Sequence, residues 1–235
     1  MKKSLIATLI IAAAALFSLS ASAEEKIVLK DGTVYVGHIK KQVPGKSLTF
    51  EVQGVEEKNI GKVYEDFPYD KDIRMTDVHT IVRSTVTSCE EASYSDVIMC
   101  DNGKNYMGVI LSQCVADNSY IRLLQRDNTI VIIPSERMKR VIKNSSDDLL
   151  QTSSYWEHIV LNDGSAVIGL IVEQNYVVEE PFMKVKVPAG KDDQIIKMEK
   201  VMEIERIIPK EGDVEIEDFN GSRAKSNLLD RKIED

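Results

Sequence analysis

The sequence predicts an all-β chain: three tandem repeats behind an export signal, followed by a polar tail. Two observations carry that reading. The first is one phrase written three times. Residues 27–39 read I-V-L-K-D-G-T-V-Y-V-G-H-I, residues 98–110 read I-M-C-D-N-G-K-N-Y-M-G-V-I, and residues 159–171 read I-V-L-N-D-G-S-A-V-I-G-L-I. Each copy has an isoleucine five positions before a glycine, a second glycine five positions after it, and an isoleucine two further on. Repeats spaced by tens of residues set an architecture before any single residue is read. The second observation is a period close to two around these phrases, with many β-branched residues, which is the pattern of strands.

The first residues carry the export signal. Lys2 and Lys3 precede an apolar stretch from Leu5 to Phe17, and Ala21-Ser22-Ala23 supplies the small-x-small site of signal peptidase. The run is short for a membrane span of roughly 20 residues, so residues 1–23 read as a cleaved signal peptide that leaves no transmembrane anchor. No cysteine lies near the site, which argues against a lipoprotein. Cleavage after Ala23 leaves 212 of the 235 residues, and loss of Lys2 and Lys3 takes the formal charge from −8 to −10. The expected location is the periplasm or the exterior. An acidic exported chain disfavours nucleic acid, whose phosphates need clustered Lys and Arg. A hydrophobic content of 43% belongs to a globular protein.

Within each repeat the elements follow in a fixed order. A first strand ends at Asp31-Gly32, Asn102-Gly103 or Asp163-Gly164, dipeptides that close hairpins. The second strand contains Gly37, Gly108 or Gly169; a glycine inside a strand pattern marks a bend or a close backbone approach. All six glycines therefore read as structural. Third strands are expected at residues 47–52, 120–125 and 183–187, and fourth strands at 71–75, 129–133 and 194–198. The pairs Val78 and Ile81, Met138 and Val141, and Val201 and Ile204 then suit one short helical turn before a final strand.

The repeats occupy residues 24–84, 96–144 and 157–209, with a loop of residues 53–70 inserted in the first. Linkers rich in Ser, Thr and acidic residues separate them. Residues 210–235 are polar and charged, with little to bury.

The phrase D/N-G-x4-G-x-I with its late single turn resembles the Sm-like and SH3-like small β-barrels. The resemblance covers most of the chain after residue 23 and implies three tandem small five-stranded barrels. Five short strands closing on themselves leave few free edges. Sm proteins bind RNA through particular loops, but the basic and asparagine-rich pattern for that is not evident here. Bacterial SH3-like domains bind peptides or cell-wall glycans. The expected role is thus a non-enzymatic binding or scaffolding protein of the cell envelope, with an envelope protein, a peptide or a cell-wall glycan as partner.

Candidate chemistry is sparse, and no cofactor or metal is expected. His38, His79 and His158 stand at non-equivalent repeat positions and read as surface residues. A rival reading, an envelope hydrolase or transferase at a junction of repeats, needs His79 or His158 beside a carboxylate in a concave pocket. Gly45-Lys46-Ser47 lacks the earlier glycine of a phosphate loop. The pairs Glu56-Glu57, Asp147-Asp148, Glu179-Glu180 and Asp192-Asp193 fall in expected loops and read as solvated. Cys89, Cys100 and Cys114 allow one disulfide and one thiol, or buried core residues.

Aromatic residues are the remaining handle. Tyr64, Phe67 and Tyr69 cluster in the inserted loop, and Trp156 directly precedes the third repeat. They fit an aromatic peptide groove, or packing, with Tyr94, Tyr155 and Trp156 sealing seams between repeats.

Overall fold

The computed structural model describes residues 25–57, 61–63, 66–85, 87–89, 95–116, 118–144, 155–177, 179–187 and 192–207. The expected signal peptide, Tyr64, Tyr94, Asp147-Asp148 and the polar tail lie outside these residues.

Among the described residues, all regular structure is antiparallel strand apart from single 3-10 turns. The first repeat holds β1 (Glu25–Leu29), β2 (Val34–Val43), β3 (Ser47–Glu57), β4 (Gly61–Val63), β5 (Tyr69–Arg74) and β6 (Val78–Val82). The second holds β7 (Ser95–Cys100), β8 (Asn105–Cys114), β9 (Tyr120–Gln125), β10 (Ile130–Pro134) and β11 (Met138–Asn144). The third holds β12 (Trp156–Leu161), β13 (Ala166–Asn175), β14 (Phe182–Lys186), β15 (Gln194–Lys197) and β16 (Val201–Ile207).

The first two strands of each repeat form the hairpin the dipeptides call for. Gly32, Gly103 and Gly164 have φ of +93°, +76° and +82°, which L residues rarely adopt. Asp31, Asn102 and Asp163 brace these turns by accepting from the amides of Thr33, Lys104 and Ser165 at 2.9, 3.0 and 2.9 Å. At Gly37, Gly108 and Gly169 a Cβ would collide with the carbonyl oxygens of Glu51, Leu124 and Lys186, so the close approach is real in every copy.

The late turn lies earlier than the sequence predicts. It occupies Met75–Asp77, Ser135–Arg137 and Met198–Lys200, and the paired apolar residues sit on the strands that follow. Spacing of three within a strand puts both side chains inward because a register shift intervenes. The shift falls at Val28/Leu29, Met138/Arg140 and Val160/Leu161 in the three copies.

The larger departure concerns closure. Separate five-stranded barrels require each hydrogen-bond ladder to close within its repeat, and among the described residues none does. The last strand of each repeat pairs instead with the second strand of the next: β6 with β8, β11 with β13, and β16 back to β2. The register is the same at all three seams, with Ile81 opposite Gln113, Val141 opposite Gln174, and Ile204 opposite Gln42. A closed nine-stranded barrel results, in the order β1-β6-β8-β7-β11-β13-β12-β16-β2 and back to β1. The remaining strands, β3, β4 and β5, β9 and β10, and β14 and β15, flank this ring. Local hydrophobic patterning is the same whether a last strand pairs within its repeat or with its neighbour, so the pattern alone cannot choose.

One apolar cluster runs through all three repeats, including Ile27, Phe50 and Ile81, Ile98, Leu123 and Val141, and Ile159, Met183 and Ile204. Cys100 and Cys114 are buried within the second repeat, and Cys89, Cys100 and Cys114 are all free thiols. The packing reading holds for the two buried cysteines.

Candidate functional site

The ring creates a set of positions that no single repeat has. Each second strand leaves its own first strand midway and joins the last strand of the preceding repeat. The first-strand ladders end at Glu25–Gly37, Asp96–Gly108 and Glu157–Gly169. Just beyond, the amides of Ile39, Ile110 and Ile171 lie past the end of the ladder and need an acceptor. An acid two residues before the first isoleucine stands at that place in every copy. Glu25 accepts from Ile39 at 2.8 Å and Glu157 from Ile171 at 2.9 Å, and the Ile110 amide faces Asp96.

Two residues after the inward apolar residue of each last strand stands a base: Arg83, Lys143 or Arg206. The six charges alternate around the ring. Glu25 lies between Arg206 and Arg83, Asp96 between Lys143 and Arg83, and Glu157 between Lys143 and Arg206. Gln42, Gln113 and Gln174, three residues after the second isoleucine of the phrase, complete a buried polar set.

The contacts are not uniform. Glu25 is gripped on two sides: Arg206 donates to it at 2.7 and 3.1 Å, and Arg83 at 3.2 Å. Burial opposes the Glu25 charge, but Arg206 and Arg83 outweigh it and hold the carboxyl below its usual range. Arg206 also lies 4.6 Å from the Tyr155 ring centroid. Asp96 and Glu157 lack such a clamp. Burial pushes both to about 7 against the pull of Lys143, and burial brings Lys143 down to about 8. Near neutral pH this half of the ring is poised to exchange protons.

The surface differs from repeat to repeat. The outer strands β5, β10 and β15 each pair on one side only among the described residues. Ile130 and Ile132 on β10 are 48% and 60% exposed, and Ile195 on β15 is 67% exposed. The positions of Ile130 and Ile132 carry Asp70 and Asp72 in the first repeat. There Asp70 pairs with Lys40 at 2.8 Å and Asp72 accepts from Thr49 at 2.6 Å. Charges of this kind protect a strand edge, and the isoleucines do not. A cleft of about 320 Å³ also opens on the β6–β8 seam, lined by Thr80, Ser84, Leu111, Ser112, Tyr120 and Arg122 among others.

Four of the aromatic residues singled out in the sequence lie among the described residues, and all four are buried or half-buried. Phe67 and Tyr69 stack with centroids 5.6 Å apart and pack, half-buried, against the common core. Trp156 is 2% exposed and pairs with Ile207 where the third repeat begins, so its ring is not presented to a groove. Tyr155 is buried beside Arg206, as a seam residue should be.

His79 is exposed, with Nδ1 2.8 Å from the Thr80 hydroxyl. His158 is half-buried and lies 3.7 Å from Glu205, its cross-strand partner. Of the acidic pairs, Glu56 binds Lys26 at 2.9 Å and Asp193 binds Lys184 at 2.8 Å, while Glu180 lies 3.8 Å from Lys197. These are partly or fully solvated pairs of small energetic weight. Among the described residues no group of three or more His, Cys, Asp or Glu is placed to hold a metal ion.

Sequence reasoning missed the alternating ring, although its signal was in plain view. Counting from the shared isoleucines places an acid and a glutamine at the same offsets in all three copies, and a base stands two residues after Ile81, Val141 and Ile204 on the last strands. Compared with family models, curated proteins and solved structures, the chain matches none.

Proposed function

We propose that this chain is an exported, non-enzymatic binding or scaffolding protein of the cell envelope, periplasmic or secreted. Each repeat is an SH3-like or Sm-like unit of five strands, with the short β4 added in the first, and lends three strands to the ring while the others flank it. The observation carrying this reading is the contrast between interior and edge. Glu25 in the interior is held by Arg206 and Arg83, whereas β10 and β15 expose isoleucines on strands whose other side is open among the described residues. The partner is an extended segment of an envelope protein, added to such an edge with apolar residues at alternate positions.

The test compares wild type with Ile132→Lys/Ile195→Lys as baits in envelope extracts, with amide exchange of β10 and β15 read in the recovered complex. Both changes are on exposed edge positions and leave the fold intact. Loss of the captured species in the variant, and slowed exchange at the edge amides in the wild-type complex, supports the reading. Identical capture by both baits sinks it.

A further inference from the structure

The three seams share a register, so their differences can be read position by position. Thr80, Arg140 and Glu203 each stand one residue before the inward apolar residue of a last strand. Ser112, Glu173 and Lys41 each stand one residue before the seam glutamine. At the seam of the second and third repeats these positions hold a direct ion pair, Arg140 with Glu173. At the seam of the third and first they hold Glu203 and Lys41, paired at 2.9 Å. At the seam of the first and second they hold two small hydroxyl residues, Thr80 and Ser112, and there the 320 Å³ cleft opens. One seam has exchanged its ion pair for a cleft of ligand size, at the lower end of the usual range for binding pockets.

Its lining narrows the chemistry. The hydroxyls of Thr80, Ser84 and Ser112 both donate and accept, and Tyr120 offers a ring with a polar tip. Arg122 is exposed and makes no ion pair among the described residues, unlike Lys41 and Arg140 at the other seams. In a chain with net charge −8 that guanidinium favours an incoming carboxylate. The ligand cannot enter as an added strand, because β6 and β8 already pair with each other and with β1, β7 and β9. Recognition must pass through side-chain hydroxyls, a ring and one cation. We infer that the β6–β8 cleft binds a short saccharide bearing a carboxylate, its acid group on Arg122 and its hydroxyls on Thr80, Ser84 and Ser112.

This site is separate from the β10 and β15 edges, so it stands or falls independently of the partner proposed above. The test is an amide NMR titration of the full chain with cellobiouronic acid and, as its uncharged counterpart, cellobiose. Saturable shifts are expected at residues 80–85, 112 and 120–122, with the acid about tenfold tighter than the neutral sugar. Arg122→Met removes that preference. Thr80→Arg/Ser112→Glu transplants the Arg140–Glu173 pair, closes the cleft and abolishes both titrations. If that variant fails to fold, Tyr120→Ala takes its place, with weakened binding of both sugars expected. No saturable shift by about 10 mM of either sugar, equal affinity for the two, or undiminished binding in the cleft variants overturns the proposal.

Discussion

Replacing Asp96 by asparagine should flatten the dependence of stability on pH in the acid-to-neutral range. Asp96 is 1% exposed, and burial raises its pKa from 3.8 to about 7. The folded protein therefore keeps a proton that the unfolded chain has released. The stabilisation from that proton is fully present below about pH 4 and is lost as pH rises through about 7. A shift of roughly 3 units at 1.36 kcal/mol each amounts to about 4 kcal/mol, with a slope near 1.4 kcal/mol per pH unit. That is a large share of the 5–15 kcal/mol typical of a domain.

Glu157 acts in the same direction. Lys143, brought down by burial, acts in the opposite one: its penalty is relieved as pH climbs above about 8. The wild type should thus be least stable between about pH 7 and 8. The substituted asparagine keeps an oxygen for the Ile110 amide but has no proton to exchange. Urea unfolding followed by tryptophan fluorescence from about pH 4.5 to 9 reads the effect, with the m-value as a check on cooperativity. Wild-type and Asp96→Asn stabilities that run parallel through that range would refute the reasoning, as would a wild-type maximum at about pH 7.5.

Three further outcomes are expected. Arg206→Met leaves Glu25 with only Arg83 and should cost about 3–5 kcal/mol, most of it regained in Arg206→Met/Glu25→Gln; a double-mutant cycle with no coupling speaks against the clamp. Gly108→Ala should destabilise by upwards of about 3 kcal/mol because its Cβ meets the Leu124 carbonyl, whereas Gly103→Ala, in open space at φ +76°, should cost only about 1–2 kcal/mol; thermal melts of the two variants rank them. Native protein should react rapidly with a thiol reagent at Cys89 alone, since Cys100 and Cys114 are buried, and at all three cysteines once unfolded; mass spectrometry counts the labels.

The hairpins and bends were legible because each rests on local backbone chemistry. Asp31-Gly32 needs a positive φ and Gly37 needs room for a carbonyl, and both demands are written in a few adjacent residues. The seams were not legible, because pairing β6 to β8 rather than to its own fourth strand leaves no mark on the alternation of either strand. The charged ring was hidden for a different reason. Glu25, Asp96 and Glu157 each resemble an ordinary solvated acid at the start of a strand, and only their common offset from Ile27, Ile98 and Ile159 distinguishes them. The offset becomes meaningful once the ring shows that each acid lies at a strand junction and faces bases from two repeats, with Glu25 and Glu157 capping the amides there. Trp156 is a different case: a lone tryptophan at a repeat boundary fits either an anchor for a ligand or a seam residue, and here it is buried.

The ring also changes what divergence among the repeats can mean. Independent barrels can each drift without consequence for the others. Here every repeat supplies an acid to one junction and a base to the next, so the acid, glutamine and base positions are bound together by mutual contact. Freedom to differ is left to residues outside that circuit. At the seams the outer pair is Lys41 and Glu203 in one place and Arg140 and Glu173 in another, with the charges exchanged between strands, so the polarity of the pair is not fixed. Where Thr80 and Ser112 occupy those positions, the ladder and the glutamine register persist without the pair. Closure therefore does not depend on the outer ion pair. The first seam can hold a cleft without weakening the ring, and the place where the three repeats are least alike is the place where specificity can reside.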